Sequence, residues 1–287
     1  MNILSDIALR IASDYVHKDD YTDADEEERY AMELARTVYD HFKNNRLESP
    51  VVDYTIKVSP KRYLKRDAKT DAQRKSYDVR IILLYVNEVE PSDLPCDEAV
   101  ETYQDGNGTG QAHTYDLDNL VVVCNGSSDD DYYAEENYFI DTLVHELMHI
   151  LDACAYNYFF TYSENFGKRT KHERKRNLWV SYPIGNADVL DEKYAEYYTC
   201  EVEMREYRYN LRYEISQWCK RMDIEWNEAI DEIRKAMSDE KRFRKFIENW
   251  YGNSSPFATL YHLCFSRTSH GNRQTALKLL NGLQPLE

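Results

Sequence analysis

The sequence predicts an α+β chain: a small mixed sheet and one apolar helix in an N-terminal lobe, about residues 1–155, then a mainly helical C-terminal lobe, about 156–287. Three observations carry this. Between Val51 and Cys124 lie short runs rich in β-branched residues, the signature of strands. Asp141 to Leu151 reads DTLVHELMHIL, and neither Pro nor Gly interrupts Tyr138 to Tyr156. Beyond Leu151 the pattern is helical almost throughout. No internal repeat or low-complexity tract breaks it.

Taken in order, two helices lead, at about 3–17 and 24–45. The acids from Asp23 to Glu28 suit the positive N-terminal end of the second. Val51 to Val58 alternates as a strand. Ser59 to Ser76 is a basic polar connector containing Pro60, a loop or a short helix. Tyr77 to Val86, YDVRIILLYV, is the strongest strand. Glu88 to Asp105 is acidic and carries Pro91 and Pro95. Gly106 to Gly110 is a turn, since it lacks the Lys-Ser/Thr ending of a phosphate loop. Gln111 to Tyr115 and Leu120 to Cys124 can pair as short strands about Asp116-Leu117-Asp118. A polar loop, Gly126 to Asp131, leads into the apolar helix. Further helices are expected at about 152–164, 188–221, 224–236, 239–250, 256–266 and 272–283. Ser238 and Asn272 are their candidate N-caps and Gly252 a stop.

Composition excludes several classes. Fifty-two acidic and 36 basic residues leave a net charge of −16, which would repel a phosphate backbone. A general nucleic-acid binder is therefore not expected. The exception is the basic run Lys168 to Arg176, read as an exposed loop. MNILSDIALRIASDY is broken by Asp6 and Arg10, so it is an amphipathic helix and not a secretory signal. No apolar stretch approaches the ~18 residues that span a bilayer, and no membrane partner is expected. Six cysteines without C-x-x-C spacing fit reduced thiols in a cytoplasmic protein.

The chemistry gathers at His145-Glu146-Leu147-Met148-His149. Two histidines four apart on a helix share one face, and their imidazoles can grip a single Zn²⁺ at about 2.0–2.1 Å. Glu146 can reach a zinc-bound water and accept its proton as a peptide carbonyl is attacked. Phe139, Leu143, Leu147, Ile150 and Leu151 form an apolar seam that would bury the helix. Two histidines and a glutamate in such a helix are costly unless a metal compensates them; the bland reading is an amphipathic helix with satisfied core histidines.

Over about Phe139 to Ala155 this stretch resembles the zincin metallopeptidases. Thr142, Leu143, Leu147, Met148, Ile150 and Leu151 match their extended pattern. The resemblance implies a zinc-dependent peptidase acting on a peptide or protein substrate, or a zincin scaffold kept for binding without turnover. Ile150 to Ala155 holds neither Gly nor His, which excludes the metzincin branch. The gluzincin branch takes a glutamate from a second helix, and the C-terminal lobe would supply it. Glu192 is the favoured ligand: Glu192, Ala195, Thr199 and Val202 share one stripe of mostly small residues if 188–221 is one helix. Glu196, one turn on, is either a supporting carboxylate for a zinc histidine or the ligand itself. His172 is a third candidate, like the later histidine of SprT-like zincins, but its basic surroundings disfavour a cation. Asp152 is a further possible supporting acid. Cys154 and Cys200, on the two helices, read as small core residues.

Two further features bear on substrate. Among 25 tyrosines, many fall in 188–221, where packing is the usual reason. Tyr198, Tyr261, His262 and His270 are candidate donors for a developing oxyanion. The hairpin from Gln111 to Cys124 is either an ordinary edge hairpin or the sheet edge that pairs with substrate backbone, as in zincins.

Overall fold

The computed structural model describes residues 24–45, 49–63, 74–105, 111–115, 118–125, 132–156, 188–250, 254–268 and 272–285. The expected helix at 3–17, the turn at 106–110, residues 157–164, the run 168–176 with His172, Gly252 and His270 lie outside them. The chain divides into two compact units, residues 1–167 and 168–287.

The first unit opens with α1 (Ala24–Asn45) and then β1 (Val51–Val58), both as the sequence predicts. A short 3-10 turn, Pro60–Arg62, follows in the Pro60 connector. Next come β2 (Tyr77–Tyr85), α2 (Asp97–Asp105), β3 (Gln111–Tyr115), β4 (Leu120–Asn125) and α3 (Tyr132–Tyr156). Helix α2 lies in the acidic stretch Glu88 to Asp105, beyond Pro91 and Pro95. Asp97 and Glu98 occupy its first turn, where carboxylates complement the helix dipole.

The four strands form one mixed sheet in the order β1-β2-β4-β3. β1 runs antiparallel to β2, β2 parallel to β4, and β4 antiparallel to β3. The hydrophobic pattern explains the order. Ile81 to Tyr85 of β2 and all of β4 are buried, as central strands covered on both faces must be. β1 alternates, burying Val52, Ile56 and Val58 while exposing Asp53, Thr55 and Lys57. It therefore suits an edge, where Arg80–Asp53 and Lys57–Asp78 pair in solvent. Asn119, at φ 49°, makes the tight reversal into β4, a left-handed conformation that asparagine tolerates.

Each sheet face has its own cover. Ile82, Leu84, Val122 and Cys124 cluster with Ala99 of α2. Across the sheet, Tyr39 and Phe42 of α1, Tyr85 of β2 and Phe139 of α3 interlock. Phe42 and Phe139 have centroids 4.9 Å apart, and Tyr85 meets Phe139 edge-on at 5.6 Å. Tyr63 donates its hydroxyl to the Leu151 carbonyl at 2.5 Å, within that buried layer. Helix α3 is thus clamped to the sheet along its apolar seam.

Among the described residues, the second unit opens with a 3-10 turn, Glu192–Tyr194, and α4 (Ala195–Tyr198). Then come α5 (Glu201–Met222), α6 (Trp226–Ala236), α7 (Glu240–Glu248), α8 (Ser255–Phe265) and α9 (Arg273–Gly282). Residues 256–263 of α8 are buried throughout, so α8 is the hub against which α4, α5, α7 and α9 pack. Asn272 caps α9 as expected, accepting from Thr275 N at 3.1 Å.

Two expectations are corrected here. Residues 188–221 are not one helix. Thr199 Oγ1 donates back to the Ala195 carbonyl at 2.7 Å, and Cys200 is extended at φ −69°, ψ 152°, so the helix stops and restarts. The stripe Glu192, Ala195, Thr199 and Val202 does not survive the break. The cap of α7 is Asp239, not Ser238: Asp239 Oδ1 accepts from Arg242 N, and Ser238 Oγ instead donates to the Lys235 carbonyl.

Candidate metal centre

Helix α3 presents two faces. Phe139, Leu143, Leu147, Ile150 and Leu151 are fully buried, as their spacing requires. His145 and Glu146 are also buried, at 8% and 9% exposure, and His149 is half-buried. Because the histidines sit one turn apart, their rings meet at 4.9 Å between centroids, nearly perpendicular, with the two Nε2 atoms 3.3 Å apart.

That separation tests whether a metal fits. Two nitrogen ligands at 2.0–2.1 Å from a tetrahedral ion stand about 3.3 Å apart. The same distance would also suit one neutral imidazole donating to the other, but two converging nitrogens in a buried setting match a cation equally well. Within the first unit, His145 and His149 offer two nitrogen donors one turn apart on α3. Two imidazole nitrogens suit a divalent transition metal, which takes at least one further protein ligand.

Glu146, one residue after His145, turns toward the sheet. Its Oε2 accepts from Thr114 Oγ1 at 2.6 Å, and its backbone carbonyl lies 3.1 Å from the same hydroxyl. Strand alternation places Thr114 there. Gln111, His113 and Tyr115 share the other face of β3, where His113 and Tyr115 both meet Thr102 of α2. Sequence reasoning missed Thr114; the period-two alternation of β3 was the available signal.

The remaining candidates divide by environment. Glu192 is exposed, and its Oε1 accepts from Arg267 N at 2.7 Å. Glu196 is half-buried on α4. Tyr198 and His262 stack at 5.7 Å within the second unit's core. His262 is fully buried, with Nε2 on the Val189 carbonyl at 2.8 Å and Nδ1 on Ser266 Oγ at 2.7 Å. Burial holds its pKa below the usual histidine value. Tyr261 donates to Glu240 Oε1 and accepts from Arg244. These contacts give Tyr198, Tyr261 and His262 packing roles in their own unit. Burial pushes the Cys154 thiol up to about 12, so it stays protonated at neutral pH. The side chain of Asp152 lies outside the described set.

The fold and these residues together define a mixed α+β protein with a candidate metal-ligand group. No family model matches the chain, and neither curated proteins nor solved structures yield a match. Among the described residues, no helix is long and apolar enough to cross a membrane.

Proposed function

We propose that the protein is a zinc-dependent metallopeptidase of gluzincin type. His145 and His149 hold the metal, and Glu146 is the general base. The observation that carries this reading is the convergence of two imidazole Nε2 atoms at 3.3 Å on a helix whose intervening motif supplies a buried carboxylate. The third ligand is a glutamate of the C-terminal lobe, Glu192 as the sequence favours or Glu196 one turn on; Glu192 is exposed and bonded to Arg267 N.

A bound zinc supplies Lewis-acid polarisation of a peptide carbonyl and lowers the pKa of water to about 7. The chain's own groups do the rest. Glu146 accepts the proton of the attacking water and passes it to the departing amine, acting as base and then as acid. β3 is an edge strand beside α3, so an extended peptide can add to it as a further strand, which favours a peptide or protein substrate. Six free thiols support a reducing compartment, the cytoplasm.

The test combines metal analysis with a peptidase assay. Wild type is expected to carry one zinc and to cleave peptides. Glu146→Gln keeps the zinc and loses cleavage; one of Glu192→Ala and Glu196→Ala loses zinc while the other keeps it. A wild type that binds zinc but cleaves no peptide would instead be a binding protein on the same scaffold. Zinc lost only in Glu192→Ala would assign the third ligand to that residue, and zinc kept in both would exclude the pair.

A further inference from the structure

The strongest contact at the candidate site that the motif does not contain is Thr114 to Glu146. A threonine hydroxyl has one proton to give, and two acceptors compete for it. The carboxylate Oε2 stands at 2.6 Å and the Glu146 carbonyl at 3.1 Å. Charge-assisted O–H···O⁻ bonds run at 2.5–2.7 Å, so the carboxylate takes the proton and the carbonyl receives only a weak second contact. Glu146 Oε1 accepts no hydrogen bond from a described residue. Among the described residues, one oxygen of the carboxylate is therefore tied down and the other left available.

We propose that Thr114 is a positioning residue for the general base. It rests on the peptidase reading above. Without the hydroxyl, the carboxylate can rotate among staggered and broad terminal rotamers, and the oxygen that must meet the attacking water is in place for only part of the time. Thr114 belongs to β3, whose opposite face is fastened to α2 through His113, Tyr115 and Thr102. The tether therefore runs from a sheet edge and not from a mobile side chain. It also links the strand on which an extended peptide would add to the residue that acts on that peptide.

The experiment uses the full-length protein as Thr114→Val, which keeps the shape and removes the hydroxyl, and Thr114→Ser, which keeps the hydroxyl. Zinc content, steady-state kinetics and urea unfolding of the metal-free protein are measured for each. Thr114→Val is expected to retain its zinc, to lose about tenfold in kcat with KM nearly unchanged, a fraction of what a general base contributes. Thr114→Ser restores most of kcat. In unfolding, Thr114→Val lowers the wild-type midpoint but leaves that of Glu146→Ala where it was, since the partner is already gone. A Thr114→Val enzyme as fast as wild type overturns the positioning role and leaves the peptidase reading standing. A wild type with neither zinc nor hydrolysis overturns both, even if the unfolding midpoints remain coupled.

Discussion

Two histidine environments in this chain differ in what their ring nitrogens face. On α8, His262 is fully buried with a carbonyl at one nitrogen and a hydroxyl at the other. The Val189 carbonyl can only accept, so Nε2 carries the proton and Nδ1 receives Ser266 Oγ–H. That ring is satisfied and neutral, and it fixes the turn before Glu192 to the hub helix. On α3, His145 and His149 direct nitrogens at each other across 3.3 Å, beside a carboxylate held by Thr114. A histidine that serves packing finds partners of opposite hydrogen-bonding sense. On α3 the two rings instead bring nitrogens toward one point, the arrangement that the proposed metal requires.

The largest break in this contrast is chemical. Glu146→Gln should lower hydrolysis by about 10²–10⁴-fold with zinc retained, measured by initial rates on a quenched peptide. Next comes the clamp beneath the site. Phe139→Ala empties the Phe42–Tyr85–Phe139 cluster and should destabilise the protein by about 3–5 kcal/mol in chemical unfolding.

His262→Leu sharpens the comparison from the other side. It leaves the Val189 carbonyl and Ser266 hydroxyl unpaired and should cost about 1–3 kcal/mol of stability, with zinc content unchanged. It should also alter the pH response. The folded pKa of His262 lies below its unfolded value of about 6.5, so below that pH the unfolded chain binds more protons. This contribution to stability is full above pH 6.5 and is lost as pH falls through the folded pKa. Unfolding at pH 5 and pH 7 should differ less in His262→Leu than in wild type. The smallest effect is expected at the sheet's outer edge: Arg80→Ala breaks a half-exposed pair with Asp53 and should cost under about 1 kcal/mol.

Much of the first unit was legible because its signals are local. Val51–Val58 declares a strand by alternation, and Tyr77–Tyr85 one by its apolar run from Ile81 to Tyr85. The seam from Phe139 to Leu151 follows from helical period alone. The second unit was legible as helices but not at their joints. The break at Thr199-Cys200 depends on a side chain returning to its own backbone, and the choice of Asp239 over Ser238 as cap depends on one residue of phase. The third ligand stays open for the same reason: Glu192, Glu196, Glu201, Glu203 and Glu206 crowd a stretch whose helical phase is reset at Cys200, so no stripe drawn through that point singles one out. Thr114 was hidden because its partner lies 32 residues away on another element.

Zinc content of the purified protein, compared among wild type, His149→Ala and His262→Leu, tests the contrast most directly. The two histidine environments predict one zinc per chain in wild type and in His262→Leu, and none in His149→Ala. A wild type without metal, or a His149→Ala protein that keeps it, would contradict the assignment of α3 as the metal helix.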